Sequence, residues 1–587
     1  MTASLQPSIP SRRLFPWPIR SPGRKLIILT FALLVIIIGG SLFYLFRLHS
    51  MQPPSRSAAV DPFNNLCSGD KNGIGGTVTA GNICQGLSDG TLAFDTQRTD
   101  GQNKLLAAQA FKAQQTEQAK NYWQQAIQQE PYDAEALIYL EDQCVRDSGR
   151  PYIILVATAI LEGVYINSGR SDLQGIFFAQ HEYNTYAGLA QCQHIPAIDF
   201  PSTNKGTQHV QALPENTLVL VVIANLFTDA AHDKEASQQI AQQIIQYQQS
   251  NYNPERFIGI IGLPTSNITG FAMPILNRAH LPAVSQNASG DNLAEDFPYF
   301  RSVTPTNNDQ ARALSDFIQV NLSDKLHKKL KHGLILGNQD DLYSQNLADD
   351  FEHNFAGPDT SSKRKNYSKI TPQYNIHNIL NTALDKGIDF IFFAGNSDDA
   401  SELLQDPLLK QEPYKHIPII GGDTLYNLRG NYPDTARGRM YFVGFAFPDE
   451  WDQQQQMPLF LQNYGKNPLS WSIFDPTHKQ CPDGPYGCDR ADNHAILSYD
   501  ATKTLLEAAR RALLRVPTPP HLTEEVNNQL NELHGANTVQ GVSGLLDFAP
   551  NEDGVTRLQN KTFLILSIDE KANTHIEYIE QQDHLGS

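Results

Sequence analysis

From residue 151 to near the C-terminus, short apolar runs alternate with stretches of helical periodicity, and this alternation is the strongest constraint on the fold. The apolar runs lie at residues 152–158, 218–223, 257–263, 281–284, 334–337, 390–394, 418–420, 441–445 and 563–568. Helical patterns lie between or beside them at residues 169–184, 233–249, 268–279, 310–320 and 495–514. Two further helical patterns are bounded at one end only: one begins at residue 344, and the other ends at residue 409. Such runs, bounded by turn residues, are typical of buried parallel strands. The pattern is too long for one sheet, so we expect two doubly wound α/β lobes with a cleft between them.

The length and net charge of the chain limit its domain number and the partners that it can bind. The chain has 587 residues, which is too long for a single hydrophobic core. It carries 62 acidic against 45 basic residues, for a net charge of −17. Nucleic-acid binding requires basic patches that neutralise phosphates, so no nucleic-acid partner is expected. Ordinary solubility accounts for the charge.

The N-terminal region predicts a membrane anchor. Residues 26–46 are uncharged and predominantly apolar, and they are long enough to cross a bilayer as a helix. Basic residues precede this run at Arg12, Arg13, Arg20, Arg24 and Lys25, and only Arg47 and Arg56 follow it closely. The positive-inside rule then places a tail of residues 1–25 in the cytoplasm and the bulk of the chain outside.

A cleaved signal peptide is the alternative to that anchor. The apolar core of a signal peptide usually has roughly 7–15 residues and precedes a site of small residues. The run at 26–46 is longer, and no clear site of that kind follows it. We therefore expect an uncleaved signal-anchor and a single-pass membrane protein.

The cysteines predict disulfides. All six follow the apolar run, at Cys67, Cys84, Cys144, Cys192, Cys481 and Cys488. An even number in an oxidising compartment favours pairing. The turn-rich loop 481–488 can close on itself, and 67 with 84 is the next pair, which leaves 144 with 192. A zinc site is less favoured because no CxxC occurs and the histidines are scattered, so no metal or cofactor is expected.

Two segments separate the anchor from the α/β region. Residues 47–103 are rich in Pro, Gly, Ser, Asn and Asp, which predicts a spacer with a small cysteine loop. Residues 104–148 are helical, and their small residues and Trp123 resemble one tetratricopeptide unit. A solenoid needs about three such repeats. This segment is therefore either a partner-binding module or, as we favour, a helical collar that packs on the spacer or the next domain.

Polar residues end two neighbouring strands of the predicted sheet. The run at 257–263 is followed by Thr265-Ser266-Asn267, and the run at 281–284 by the small polar residues 285–290. Carboxyl ends of parallel strands meet at one edge of a sheet, where ligands of open α/β sheets bind. Hydroxyls and free backbone N–H groups at these ends suit a carboxylate.

Several segments together carry a resemblance to a known family. In chain order they are GRSDLQGIFFAQHEYN, IIGLPTSNIT, PAVSQNASGD, LGNQDDLYSQNLADDF, GIDFIFFAGNSDDASELLQ with IPIIGGDTLYN, and HGANTVQGVSGLLDFAPNEDG. They resemble the type I periplasmic-binding-protein superfamily, in particular the branched-chain amino-acid (Leu/Ile/Val) substrate-binding proteins of ABC transporters and related receptor ectodomains. The resemblance covers 151–587. It implies a hinged, two-lobed fold, with a first lobe of about 151–327 and 446–560 and a second of about 328–445 and 561–587.

The resemblance also implies a binding site. Ser266, Ala288 and Ser289 match positions that hold the ligand α-carboxylate through hydroxyl and backbone N–H groups. Asp423 matches an acidic residue that pairs with the α-ammonium. Tyr343 matches an aromatic residue that covers the ligand from the second lobe. The alternative is that the two serines are helix N-caps and that Asp423 caps the turn after its strand.

One departure from the family lies in the second lobe. Asn396 or Ser397 stands where the family often has a cleft-facing Tyr. The change weakens the expectation of an apolar ligand side chain and leaves room for a polar or larger ligand.

No catalytic motif is evident. His181-Glu182 lacks the second histidine of a zincin, and neither a G-x-S-x-G elbow nor a Walker loop occurs. The lack of these motifs favours a non-enzymatic protein. The family resemblance, together with the apolar run at 26–46, implies a membrane-anchored solute-binding protein that captures an amino acid or related carboxylate by hinge closure, for an ABC permease. The alternative is a signalling or scaffolding ectodomain that senses a ligand or binds a protein partner.

Overall fold

The computed structural model describes Cys67, residues 74–78 and most of residues 84–580. Gaps in the last range fall at 132, 190–194, 196–209, 227–232, 251–254, 385–386, 429–431, 452–456, 465–490 and 516–521. The predicted anchor at 26–46 and the loop 481–488 lie outside the described residues. No helix within the described ranges is long and apolar enough to span a bilayer.

The first lobe is built on a seven-stranded sheet of order β1-β2-β4-β3-β5-β6-β7. Its strands are β1 (Gly75–Val78), β2 (Cys84–Ser88), β3 (Tyr152–Ala159), β4 (Leu218–Asn225), β5 (Phe257–Ile261), β6 (Ala283–Ser285) and β7 (Phe300–Ser302). The strands from β3 to β7 pair in parallel, as predicted. All eight residues of β4 are buried, because helices cover both faces of the sheet.

The prediction that residues 47–103 form a spacer is wrong in one respect. β1 and β2 fall within residues 47–103, and they form the antiparallel edge of the first sheet through the pairing of β2 with β4. Their sequences, GGTV and CQGLS, are rich in glycine and lack a strong apolar signal. Long-range pairing with β4, rather than local propensity, makes them strands.

The second lobe is built on another seven-stranded sheet, of order β17-β16-β12-β11-β10-β8-β9. Its strands are β8 (His332–Asn338), β9 (Ser361–Tyr367), β10 (Phe390–Phe393), β11 (Ile419–Gly421), β12 (Met440–Gly444), β16 (Phe563–Ile568) and β17 (Thr574–Glu580). The strands β8 to β12 are parallel, and β16 and β17 add an antiparallel edge. A small antiparallel sheet of β13 (Val539–Gly541), β14 (Gly544–Pro550) and β15 (Thr556–Gln559) completes the fold.

Thirteen helices among the described residues surround the sheets, besides single turns at Leu293–Asp296 and Ser323–Lys325 and a π-turn at Ile318–Leu322. They are α1 (Gly101–Lys112), α2 (Thr116–Gln129), α3 (Ala134–Asp147), α4 (Ile166–Tyr186), α5 (Asp233–Gln249), α6 (Ser266–Arg278), α7 (Asn307–Phe317), α8 (Leu342–Phe355), α9 (Ile376–Ala383), α10 (Ser397–Gln405), α11 (Leu459–Tyr464), α12 (Asn493–Arg515) and α13 (Leu522–Asn531). Helices α4 and α12 pack side by side on the first sheet.

The chain leaves the first lobe earlier than predicted. Helix α7 packs on α8 of the second lobe, and its Phe317 ring lies 5.7 Å from Tyr441 and 6.1 Å from Tyr578. The first crossover therefore falls at residues 303–306, directly after β7, and not near 327. The amphipathic pattern of α7 identifies a helix but does not say which sheet it covers.

The collar helices α1, α2 and α3 are fixed to the first lobe. Trp123 fills the space between them, 5.5 Å from the Phe111 ring and 5.8 Å from Tyr139. Asp142 on α3 accepts hydrogen bonds from Gln180 Nε2 on α4 (2.7 Å) and from the Val221 N–H on β4 (3.1 Å). The helices predicted for 104–148 are present, but the structure does not show a tetratricopeptide repeat.

One predicted disulfide is confirmed: Cys67 is bonded to Cys84. The bond fastens the chain before β1 to the first residue of β2. Cys144 is also in a disulfide, and the cysteines left for it lie outside the described residues.

Candidate ligand-binding cleft

A cavity of about 120 Å³ lies between the two lobes. The carboxyl ends of β3, β5 and β6 approach it from one side, and those of β8, β10 and β11 from the other. Its lining consists of Ile160, Tyr165, Ser168, Gly169, Asp172, Asp233, Pro264, Thr265, Ser266, Asn267, Asn287, Asp341, Tyr343, Asn396, Asp423, Thr424, Asn427, Asn493 and His494. The volume holds several water molecules or one small organic molecule.

Direct hydrogen bonds join the lobes around this cavity. Asn427 of the second lobe accepts at Oδ1 from Ser168 Oγ (3.1 Å) and from His494 Nε2 (2.6 Å), both in the first lobe. Next to it, the Tyr426 hydroxyl accepts from the Asn493 N–H (3.2 Å). These contacts close one end of the cavity.

A second set of contacts joins the lobes at the start of α6 and α8. Asn267 Nδ2 donates to Asp341 Oδ2 (2.9 Å), and Asn267 Oδ1 accepts from the Leu342 N–H (3.0 Å). The Tyr165 hydroxyl reaches Asp398 Oδ1 (3.4 Å). With both ends joined, the lobes are in a closed arrangement.

The second-lobe wall presents a carboxylate held by a phenol. The Tyr343 hydroxyl donates to Asp423 Oδ1 (2.9 Å), and the Asp423 N–H donates to Gln310 Oε1 (3.2 Å). Burial raises the pKa of Asp423 to about 6, although the hydrogen bond from Tyr343 opposes the shift. Burial, with the charge of Asp423, raises the pKa of Tyr343 well above its ordinary value. The wall can therefore offer a carboxylate to a cationic group at neutral pH.

The first-lobe wall presents the N-terminus of α6. Thr265 caps this helix by accepting from the Ile268 N–H (3.2 Å). Ser266 Oγ accepts from the Gly290 N–H (2.9 Å), which leaves its own hydroxyl hydrogen to donate into the cavity. A helix N-terminus with a hydroxyl donor suits an anionic group.

The structure brings together four of the seven predicted site residues: Ser266, Asn396, Tyr343 and Asp423 all line the cavity. Ser397 does not line it. Its side chain is buried in the first turn of α10, where its carbonyl accepts from Ser401 Oγ (3.1 Å).

Ala288 and Ser289 also lie outside the cavity. The Ala288 N–H donates to Ser285 Oγ (3.0 Å), and Ser289 Oγ donates to Asn307 Oδ1 (2.8 Å). Both residues line a separate small cavity. These two donors are satisfied within the protein, and Ser266 is the one residue of the predicted carboxylate trio that lines the cleft cavity.

Several cavity residues escaped the sequence analysis, chiefly Ser168, Asp172, Asn427, Asn493 and His494. Asn493 and His494 begin α12, where Asp492 accepts from the Ala495 N–H (3.1 Å) as a helix cap. The Asp-Asn-His sequence before a long amphipathic helix signals such a cap. It does not reveal that the same turn faces the opposite lobe.

Comparisons with known proteins support the type I periplasmic-binding fold. The sequence model of the receptor family ligand binding region matches residues 184–405. No curated protein matches the chain.

Solved structures match most of the described fold. A leucine-binding protein from Thermotoga maritima is 16% identical, with a TM-score of 0.52 over 74% of this chain and 100% of that one. The branched-chain amino-acid transporter substrate-binding protein from Streptococcus pneumoniae, in complex with isoleucine, is 16% identical, with a TM-score of 0.51 over 73% and 99%. An ABC-transporter solute-binding protein from R. palustris, in complex with 4-hydroxybenzoate, is 12% identical, with a TM-score of 0.50 over 73% and 96%. At these identities the likeness concerns the fold.

Proposed function

We propose that this protein is an extracytoplasmic solute-binding protein that captures a small, amine-bearing ligand, an amino acid or a close relative, between its lobes. Ligand capture proceeds by hinge closure about the crossovers, and the closed form is what a membrane partner recognises. The observation that carries the proposal is the Tyr343–Asp423 pair, which lines the same cavity between the lobes as Ser266 and the start of α6.

This arrangement suits the two ends of a zwitterion. The carboxylate of Asp423 pairs with an ammonium group, and the Ser266 hydroxyl with the N-terminus of α6 pairs with a carboxylate. Closure excludes water and strengthens both contacts. The structural relatives are described as binding leucine, isoleucine or 4-hydroxybenzoate, each of which carries a carboxylate.

Calorimetry on the purified full-length chain in mild detergent tests the proposal. The panel contains amino acids, aliphatic amines and aromatic carboxylates. We expect at least one amine-bearing compound to bind and Asp423→Asn to weaken its binding by about 100-fold. Asp434→Asn is the control, because that carboxylate is 91% exposed and pairs with Arg437 in the same lobe. A folded protein that binds no compound of the panel, or binding that Asp423→Asn leaves unchanged, contradicts the proposal.

The anchor and the transport role are further parts of the proposal. The apolar run at 26–46 and the basic residues before it support a single-pass helix with residues 1–25 in the cytoplasm. The solute-binding proteins of similar fold support an ABC permease as partner. Alkaline extraction of membranes and protease accessibility from the outer side test the topology. Release of the chain into the soluble fraction contradicts an uncleaved anchor.

A sensing ectodomain is the second candidate function. The match to a receptor ligand-binding region and the collar fixed to the first lobe favour it. In that case ligand closure is transmitted to a protein partner rather than to a permease. Crosslinking in native membranes with and without ligand distinguishes the two, since each predicts a different class of captured protein.

A further inference from the structure

Carboxylates outnumber basic side chains among the described residues that line the cavity. Four carboxylates line it: Asp172 and Asp233 from the first lobe, and Asp341 and Asp423 from the second. None of the described residues in the lining is a lysine or an arginine. Carboxylates that are removed from water favour positive charge nearby, so a cavity with this lining favours a cationic occupant.

His494 is the one basic side chain among the described residues of the lining. Its Nδ1 lies 2.8 Å from Asn287 Nδ2 and 3.6 Å from Asp172 Oδ1, and its Nε2 lies 2.6 Å from Asn427 Oδ1. A single imidazole offers at most one positive charge, so the carboxylates outnumber the bases in this part of the lining.

The four carboxylates are not equivalent. Asp341 caps α8 by accepting from the Ser344 N–H (2.8 Å), and it also accepts from Asn267 Nδ2 (2.9 Å). Both of its oxygens therefore serve the fold. Asp172, which is 1% exposed, accepts from the Ser498 hydroxyl (2.8 Å). Asp172 and Asp423 thus bring a carboxylate to the cavity from each lobe.

A buried amide oxygen without a hydrogen-bond donor is independent support for an occupant that carries N–H or O–H groups. Asn493 lines the cavity and is 3% exposed, and within the described parts of the chain its Oδ1 has no hydrogen-bond donor. Buried amide oxygens almost always accept a hydrogen bond, so this atom calls for an N–H or O–H from the occupant.

Resting on the function proposed above, we propose that the ligand carries two ammonium groups on a short aliphatic chain, one for Asp423 and one for Asp172. Such a ligand is a basic amino acid or an aliphatic diamine. Asn493 Oδ1 accepts from one of the ammonium groups. Ile160 and Pro264 supply apolar surface for the methylenes.

Calorimetry with three ligands on the full-length chain tests the inference. L-lysine and L-norleucine have the same linear carbon chain and differ in the terminal ammonium, and 1,5-diaminopentane lacks the carboxylate. We expect at least one of the two diammonium compounds to bind about 100-fold more tightly than norleucine. Preference for lysine over diaminopentane identifies a basic amino acid, and the reverse preference identifies a diamine. If norleucine binds as tightly as lysine and diaminopentane, this inference is wrong but the proposed function stands. If no amine binds at all, both the inference and the proposed function are wrong.

The variant Asp172→Asn tests whether Asp172 binds the second ammonium group of the ligand. We expect the variant to weaken binding of the diammonium ligand about 30-fold and to leave norleucine binding within about twofold of wild type. The thermal midpoint without ligand shows whether the variant folds. If Asp172→Asn folds and the ratio of the two affinities is unchanged, Asp172 does not bind the second ammonium. The comparison of ligands on the unmodified chain needs no variant, so a folding failure leaves that test intact.

Discussion

The Tyr343 hydroxyl donates to Asp423 Oδ1 across 2.9 Å, so the aromatic residue of the second-lobe wall also sets the state of its carboxylate. The hydrogen bond stabilises the ionised form and opposes the effect of burial on the Asp423 pKa. One side chain therefore lines the cavity and favours the ionised form of the carboxylate beside it.

Tyr343→Phe separates these two roles. The ring remains, but the hydrogen bond to Asp423 is lost, so the pKa of Asp423 should rise and the affinity for an ammonium ligand should fall about tenfold at neutral pH. Calorimetry measures the affinity. Raising the pH should restore part of the loss, because Asp423 then ionises. A loss that is equal at all pH values would show that the hydroxyl contacts the ligand and does not tune the carboxylate.

Ligand binding should depend on pH through Asp423. Burial raises its pKa from the ordinary value to about 6, and only the ionised form pairs with an ammonium. The ionised fraction grows as the pH rises through 6, whereas an aliphatic amine stays protonated over this range. Affinity should therefore be about tenfold lower at about pH 5 than at about pH 7.5, and it should level off above that.

Calorimetry in buffers of different ionisation enthalpy checks the same linkage. Near pH 6, binding should release a fraction of a proton, because pairing with the ligand lowers the pKa of Asp423. An affinity that is flat from about pH 5 to pH 7.5, without proton release, excludes Asp423 as the ammonium partner.

The sequence predicts most of the two sheets for a local reason. Strands such as β4 and β10 are short apolar runs that are buried on both faces. Such a run can be recognised in the sequence without knowing which strands lie beside it. The sequence does not indicate β9, because SSKRKNY is polar and lies at a sheet edge, where one side faces solvent. Its place depends on pairing with β8.

The cleft is less predictable because its contacts are long-range. Asp423 and Tyr343 are 80 residues apart, and Asn427 and His494 are 67 residues apart. The family pattern points to Ser266, which lines the cavity. The family pattern cannot show that the Ser289 hydroxyl donates a hydrogen bond to Asn307, because that bond depends on where α7 begins relative to β6.

Asn427→Ala should weaken closure. Asn427 Oδ1 accepts from Ser168 and His494 of the opposite lobe, and the alanine leaves both donors without this partner. The open form should gain population, and ligand affinity should fall about tenfold. Small-angle scattering without ligand should show a larger radius of gyration, and saturating ligand should restore the wild-type value.

Asn381→Ala is the matched control for Asn427→Ala, because the Asn381 amide is exposed and bonds to His377 on its own helix. It should leave scattering and affinity unchanged. If Asn427→Ala scatters like wild type and binds with wild-type affinity, the Asn427 contacts do not hold the lobes together.

Lys104→Met should destabilise the collar. The Lys104 ammonium is fully buried and contacts Asp133 Oδ2 (2.6 Å) and Glu135 Oε2 (2.9 Å). Burial opposes ionisation of Asp133, yet Lys104 lowers the pKa of that carboxyl below its ordinary value. Methionine fills a similar space but removes the ammonium that contacts both buried carboxylates, at a cost of about 3–5 kcal/mol in the free energy of unfolding. Urea denaturation measures this change.

Lys120→Met is the control on the neighbouring helix, because Lys120 pairs with Glu117 and Asp147, whose side chains are 85% and 55% exposed. Its removal should cost less than about 1 kcal/mol. The pH dependence gives the second check on Lys104→Met. Without Lys104 the pKa of Asp133 rises, so the folded variant takes up a proton as the pH falls, and its deficit relative to wild type should shrink below about pH 5. Equal losses for the two variants, or a Lys104→Met deficit that does not change with pH, would show that the buried ammonium does not stabilise these carboxylates.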